Sequence, residues 1–154
     1  MAQVGQKINL RNYAELEILN PENIILAEYD NDIDNNAVIV RLSKGQVSFL
    51  FTADIDHSAE LRMLQRRAIE KTTVLKIAHH GSDTSTSGEF LDIVQPVVAA
   101  ISSGSNNTFG HPDEQVLERL RLYLGNSSNI YRTDQSGTIE FTTDGKRLWI
   151  KTEK

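Results

Sequence analysis

Three short apolar runs, separated by stretches of helical length, restrict this chain to one broad architecture. Val47–Phe51, residues 73–78 and Val97–Ser102 are rich in β-branched and aromatic residues. Phe49-Leu50-Phe51 is a continuous apolar run suited to burial on both faces of a sheet. Between these runs, residues 57–70 and 86–94 read as helices. Strands that alternate with helices bury their apolar faces by forming an α/β layer.

The flanks are richer in strands. Residues 15–19 alternate apolar and polar and stop at Asn20-Pro21, a half-buried strand and its end. Residues 28–36 are polar and turn-rich and predict a surface loop. Ala37–Leu42 pairs with Val47–Phe51 across a hairpin at Lys44-Gly45. Asp56 caps the helix over 57–70, with Leu61, Leu64 and Ala68 as its inner stripe and Arg62, Arg66, Arg67 and Lys71 on a solvated face. Thr86-Ser87-Gly88-Glu89 is a capping box for a short helix that runs through Val94 and stops before Pro96. Pro112 suits the first position of a helix whose Val116, Leu120 and Leu124 share a face, with Gly125 past its end. Strands follow near 129–132, 137–143 and 146–152, the last two hinged at Asp144-Gly145. The expected order is β-β-β-α-β-α-β-α-β-β-β.

A chain of 154 residues is most simply one domain, long enough to bury roughly two-thirds of its unfolded surface. A net charge of −5 argues against gripping nucleic acid by bulk electrostatics, although metal ions can supply local positive charge to a nucleic-acid enzyme. The absence of cysteine removes disulfides, thiolate metal sites and thiol nucleophiles together. No apolar run approaches the roughly 18 residues that span a bilayer, and Met1–Lys7 lacks the apolar core of a signal peptide. The chain as written is expected to be soluble.

The chemistry gathers where strands should end. Asp54 follows the Phe49–Phe51 strand; because Asp56 alone suffices as helix cap, Asp54 is free to act as a ligand. His79 and His80 follow Ile77-Ala78, and Gly81 lets the backbone turn sharply after them. His111 sits between Gly110 and Pro112 just before a helix N-terminus, where it is either a capping residue or a neighbour of a bound anion. His57 opens a helix on its exposed side and reads as structural. Ser82, Thr84 and Ser85 could donate to phosphate oxygens, but each alone is better read as a loop residue. Imidazole and carboxylate donors from strand ends suit a metal or phosphate site. A dimetal hydrolase needs some six to eight protein ligands, and only two or three are offered. No His-x-His-x-Asp-His cluster, His-Glu-x-x-His helix, Gly-rich phosphate loop or Gly-x-Ser-x-Gly elbow occurs, and no lysine is placed by motif.

Five patches carry a resemblance. They read Asn35-Asn36-Ala37-Val38-Ile39-Val40-Arg41-Leu42, Phe51-Thr52-Ala53-Asp54, Leu75-Lys76-Ile77-Ala78-His79-His80-Gly81-Ser82, Asn107-Thr108-Phe109-Gly110-His111-Pro112 and Tyr131-Arg132-Thr133-Asp134-Gln135-Ser136-Gly137. In this order, over about residues 6–145, the chain resembles the C-terminal half of a metallo-β-lactamase-fold domain. The nearest kind is the domain of ComEC-type DNA-internalisation competence proteins.

The resemblance implies an α/β fold, half of a metallo-β-lactamase-type αββα sandwich: a mixed sheet with helices on one side, residues 1–154 forming a single partial domain. It implies that Asp54 bridges two metals, that His80 completes the second metal's ligands, and that His111 and His79 are catalytic, His111 beside the substrate phosphate. Ala53 replaces the family's usual glycine and is expected to crowd its loop. The implied cofactor is a divalent metal, zinc or manganese, in the intact domain, with none retained by this chain. The implied parent is a metal-dependent phosphodiesterase or nuclease linked to DNA uptake, on the extracytoplasmic side of a bacterial membrane protein. The His-x-His-x-Asp-His loop has no counterpart here, so the chain is expected to be a fragment, inactive by itself. A degenerate half-domain is the alternative account. Expected partners are DNA or another phosphodiester, the missing N-terminal half of the domain, and a second copy through the exposed sheet face. The rival functions are a non-catalytic module binding DNA or protein, and part of a stand-alone secreted phosphodiesterase.

Overall fold

Val74, Leu75, Ile77 and Ala99, in the two central strands and just past one of them, are almost wholly buried, and the rest of the molecule is layered around them. The structure, a computed structural model, describes residues 2–21 and 32–154. Its elements are β1 (Lys7–Asn9), β2 (Ala14–Asn20), α1 (Asp32–Asn35), β3 (Ile39–Lys44), β4 (Val47–Phe51), α2 (His57–Gln65), β5 (Val74–Lys76), α3 (Gly88–Val94), β6 (Val98–Ile101), α4 (Glu114–Leu124), β7 (Ile130–Arg132), α5 (Thr133–Ser136), β8 (Ile139–Thr143) and β9 (Leu148–Thr152). Single 3-10 turns lie at Arg11–Tyr13, Ala78–Gly81 and Ser127–Asn129.

The first seven strands form one mixed sheet in sequence order, β1 to β7. β1 to β4 pair antiparallel through short turns. β4, β5, β6 and β7 run parallel because each connection carries a helix back along the sheet. Parallel strands all end on one edge of the sheet, which is where ligand sites of open α/β sheets form. The α/β class, with a mixed sheet and helices on one side, is as the sequence implied.

Strand parity sorts the side chains onto two faces. Leu50, Leu75, Ala99 and Ile101 point to the helices, against Ala59 and Met63 of α2, Phe90, Leu91 and Val94 of α3, and Val116, Leu117 and Leu120 of α4. Val47, Phe49, Val74 and Val98 point the other way and meet Phe141, Leu148 and Ile150 of the β8–β9 hairpin. Phe49 and Phe141 meet edge to face at 5.9 Å, a favoured aromatic arrangement.

This second cluster corrects an expectation. The sheet face opposite the helices is not bare: Val47, Val74 and Val98 are at most 5 % exposed, covered by the chain's own C-terminal hairpin. The cover is incomplete. Phe51 remains exposed, and a cleft of about 440 Å³ separates hairpin from sheet.

Several boundaries also differ. β1 was not foreseen; it adds to β2 through only three residue pairs at an exposed edge. The helix expected over 57–70 stops at Gln65, and Arg67 takes a φ of +54°. Its buried residues are Ala59, Glu60 and Met63, with Leu64 packed beside them, whereas Leu61 is exposed. Ser87 rather than Thr86 caps α3: its side chain accepts from the Phe90 N–H, while Thr86 is buried at φ +57°. Asp113 caps α4, which leaves Pro112 outside the helix on a cis bond to His111. Asp56, Gly125 and the Asp144-Gly145 turn take the places expected of them. Residues 28–31 of the expected 28–36 loop lie outside the described residues, and Asp32–Asn35 form the short helix α1 rather than loop.

Candidate functional site

The site is built where β4, β5, β6 and β7 end. After β4, Thr52 ties itself down by donating to the Lys76 carbonyl at 2.6 Å. Ala53 then takes a φ of +49°, a region in which a Cβ costs about 1–2 kcal/mol. Glycine would be unstrained there, and this accounts for the glycine of the resembling family. The turn presents Asp54, whose carboxylate is 45 % exposed.

After β5 the chain enters the Ala78–Gly81 turn with positive φ at His79 (+47°), His80 (+55°) and Gly81 (+88°). Successive left-handed residues that are not glycine are held by their surroundings. The His79 N–H donates to the Ala53 carbonyl at 3.0 Å, and the Asp113 N–H donates to the Gly81 carbonyl at 2.8 Å. The two strained turns therefore hold each other.

His80 stands 3.6 Å from Asp54, Nε2 to Oδ1. Its other nitrogen, Nδ1, lies 2.6 Å from the Ser102 carbonyl at the end of β6. A carbonyl only accepts, so Nδ1 carries the hydrogen, and in the neutral ring the Nε2 lone pair faces Asp54. A carbonyl that fixes the tautomer in this way is the usual support for a metal-ligating histidine. One carboxylate and one correctly oriented imidazole fit as part of a metal's ligand set. They do not complete one, since zinc takes four ligands. Among the described residues no three His, Asp or Glu side chains gather closely enough to hold an ion.

His79 points elsewhere. Its ring lies 6.0 Å from that of His111, and its Nδ1 is buried without a hydrogen-bond partner among the described residues. His111 in turn lies under the near-parallel ring of Phe109, 6.0 Å away, and Phe109 is itself exposed. Asn107 shapes this loop, donating to the carbonyls of Gly104 and His111 and accepting from the His111 N–H. His80, Ser103, Gly104, Asn107, Phe109 and His111 line one cleft of about 230 Å³. All four candidates thus share an edge of the sheet in two pairs, Asp54–His80 and His79–His111, with His80 and His111 facing the same cleft.

The remaining motif residues are supports. Ser85 donates to the carbonyls of Ala78 and Ser82 and is fully buried, and Ser82 lies 3.0 Å from Thr84, oxygen to oxygen. Asn35 accepts from the Asp56 N–H and donates to Ser58, fastening the start of α2. Arg132 grips Asp134 with two hydrogen bonds, Ser103 donates to Asp134, and Thr133 donates to the Ser103 carbonyl. The Tyr131–Asp134 motif therefore holds the Ser103 loop. Glu60 is fully buried and accepts from the N–H groups of Thr86 and Ser87 and from the Ser87 hydroxyl. Burial pushes its pKa up against these three donors. His57 caps nothing in the site and is exposed.

One residue escaped the sequence reading. Lys76, the last residue of β5, points into the hairpin cleft, and burial pushes its ammonium below the ordinary lysine range against the pull of the Asp54 carboxylate. The signal was there: a lysine interrupting an otherwise apolar central strand.

A carboxylate and an oriented histidine thus stand together on adjacent parallel strand ends of an α/β chain. No family model matches the chain. It is similar to ComE operon protein 3 of Bacillus subtilis, 36% identical over 108 residues, which cover 70% of this chain and 14% of that protein. Competence protein ComA of Neisseria gonorrhoeae is 36% identical over 113 residues, 71% of this chain and 16% of that protein. Recombination protein 2 of Haemophilus influenzae is 35% identical over 135 residues, 88% of this chain and 16% of that protein. The chain spans about one-seventh of the length of these curated relatives. None of its described helices is long and apolar enough to cross a membrane.

Proposed function

We propose that this chain is part of a metal-dependent phosphodiesterase domain of the metallo-β-lactamase type, a nuclease serving DNA uptake. The link to DNA uptake rests on the likeness to a relative named as a competence protein, ComA of Neisseria gonorrhoeae. The observation that carries the chemistry is the Asp54–His80 pair, with His80 Nδ1 fixed by the Ser102 carbonyl so that Nε2 faces the carboxylate.

Asp54 and His80 would hold zinc or manganese together with ligands from a His-x-His-x-Asp-His loop that this chain does not contain. When bound, such ions supply a hydroxide near neutral pH and neutralise phosphate oxygens. The chain's own part is to orient those two donors on rigid strand ends. His111, beside the same cleft as His80, receives a phosphate oxygen or donates a proton to the leaving oxygen, with His79 backing its ring. Residues 1–154 alone lack the remaining ligands and are inactive under this reading. The test is cleavage of DNA and of a chromogenic phosphodiester with each divalent metal. Residues 1–154 give none, a longer protein carrying the histidine loop cleaves, and Asp54→Ala or His80→Ala abolishes that cleavage. Metal-dependent turnover by residues 1–154, lost on the same substitutions, would refute the half-site reading.

A second reading is a non-catalytic module that binds DNA or protein. Two donors without a third among the described residues favour it. DNA binding that survives both Asp54→Ala and His80→Ala, with no cleavage by the longer protein, would select it.

A further inference from the structure

Lys76 lies in a place where a lysine is expensive. β5 is a central strand, paired parallel with β4 on one side and β6 on the other, with Lys76 opposite Phe51 and Ala100. Its neighbours Val74, Leu75 and Ile77 are 3 %, 0 % and 0 % exposed. Strand parity sends Leu75 to the helices and Lys76 to the other face, into the cleft of about 440 Å³ under the hairpin. The walls beside it are apolar: Phe49, Phe51, Val74, Ala100 and Phe141. Lys76 itself is half-buried, and an ammonium partly withdrawn from water is destabilised unless something pairs with it. Among the described residues no hydrogen bond or ion pair reaches the Lys76 ammonium, whereas Lys7 pairs with Glu15 and Lys44 donates to the Thr143 carbonyl. Among the described residues Asp54 is the one charge that acts on it, and Asp54 is already turned towards His80.

The site needs a cation of its own. Among the described residues no lysine or arginine lines the cleft of His80, Asn107 and His111, and Arg132 at the end of β7 is held by Asp134. The chain carries a net charge of −5, so a phosphodiester approaching the strand ends meets repulsion unless a standing positive charge lies there. A lysine, a compact charge on a flexible four-carbon stem, can extend from the strand end to meet it.

We propose that Lys76 is a substrate-binding residue of this site, its ammonium taking an anionic oxygen of the phosphodiester beside the Asp54–His80 pair. The inference rests on the phosphodiesterase reading and adds to it a group that contributes without a metal. Lys76 thereby gains a partner when a phosphate oxygen binds, where the free chain offers it only the field of the Asp54 carboxylate. The same placement gives Lys76 an opposite effect on cations. A positive charge close to Asp54 weakens the binding of a divalent ion there, so its removal favours the metal while it disfavours the anion.

The experiment is a chemical-shift titration of the 154-residue chain with inorganic phosphate, with the thymidine dinucleotide TpT, and separately with Zn²⁺. It compares the wild type with Lys76→Met and Lys76→Arg. Methionine matches the stem in length and suits apolar walls, so this variant keeps the fold, and an unchanged thermal midpoint checks that it does. In the wild type, phosphate and TpT are expected to move the Lys76 side-chain signals together with His80 and the Ser102–Ser103 amides. Lys76→Met weakens both anions about tenfold or more, as loss of a charge-assisted hydrogen bond does. It leaves Zn²⁺ binding at Asp54 and His80 unchanged or tighter, and Lys76→Arg restores part of the anion affinity. Equal anion affinity in the wild type and Lys76→Met overturns the proposal, as does an absence of anion shifts at Lys76. If Zn²⁺ still moves Asp54 and His80 in that case, the metal half-site stands without Lys76. If Zn²⁺ moves neither, the phosphodiesterase reading fails with it.

Discussion

Gly81 packs against Pro112 so closely that a Cβ on the glycine would lie 2.6 Å from the proline Cβ. That contact joins the end of β5 to the start of α4, and so places His80 and His111 on the same cleft. Two loops far apart in sequence hold their histidines together through the absence of one methyl group.

Gly81→Ala is therefore expected to destabilise the fold by roughly 2–4 kcal/mol, from overpacking and from the positive φ of +88° together. Urea denaturation measures the loss. The amide signals of His80 and Asp113 should move in the same variant, since the turn must retreat from Pro112. A variant with wild-type stability would show that this contact is not tight in solution.

Glu60 anchors the loop that follows the histidine turn. Glu60→Gln places an amide N–H₂ where Thr86 and Ser87 offer only donors, and is expected to cost about 1–3 kcal/mol. The pH dependence has a definite sign. Burial raises the Glu60 pKa above its ordinary value, so the folded state holds the proton more tightly than the unfolded one. Its contribution is fully present below the unfolded value, about 4.3, and is lost as pH rises through the folded value. Comparing denaturation curves of wild type and Glu60→Gln at pH 4 to 7 isolates this slope, and a parallel pair of curves would contradict it.

Asp134 behaves oppositely. The hydrogen bonds from Arg132 depress its pKa first, opposed by burial and helped by Ser103. Its contribution is present above the unfolded value, about 3.9, and disappears as pH falls through the folded one. Asp134→Asn should lower stability at neutral pH and lose that deficit in strong acid. It should also loosen the Ser103 loop, read as faster amide exchange at Ser103.

Metal retention tests the half-site directly. Asp54 and His80 are two of the four ligands zinc requires, so the 154-residue chain is expected to be metal-free after ordinary dialysis. Added Zn²⁺ should bind weakly, and His80→Ala should abolish that binding. Elemental analysis that finds two retained ions per chain would mean that the ligand set is already complete.

The amino-acid sequence by itself determined the elements and their chemistry. Apolar runs broken by amphipathic stretches specify strands and helices, because burial follows periodicity. Asp56, Gly125 and Asp144-Gly145 mark ends and turns, because caps and hairpins need those side chains or that freedom. Asp54, His79, His80 and His111 were likewise legible as strand-end donors. Tertiary structure alone decided which of them meet. Positive φ at Ala53, His79 and His80 turns His80 to Asp54 and His79 to His111, and such values arise from packing around a loop rather than from local preference. The facing of Lys76 was hidden for a related reason. A three-residue strand is too short to show its period, so its parity comes from pairing with β4 and β6. The hairpin's return across the sheet was hidden too, because its alternation states that one face is buried but not against what.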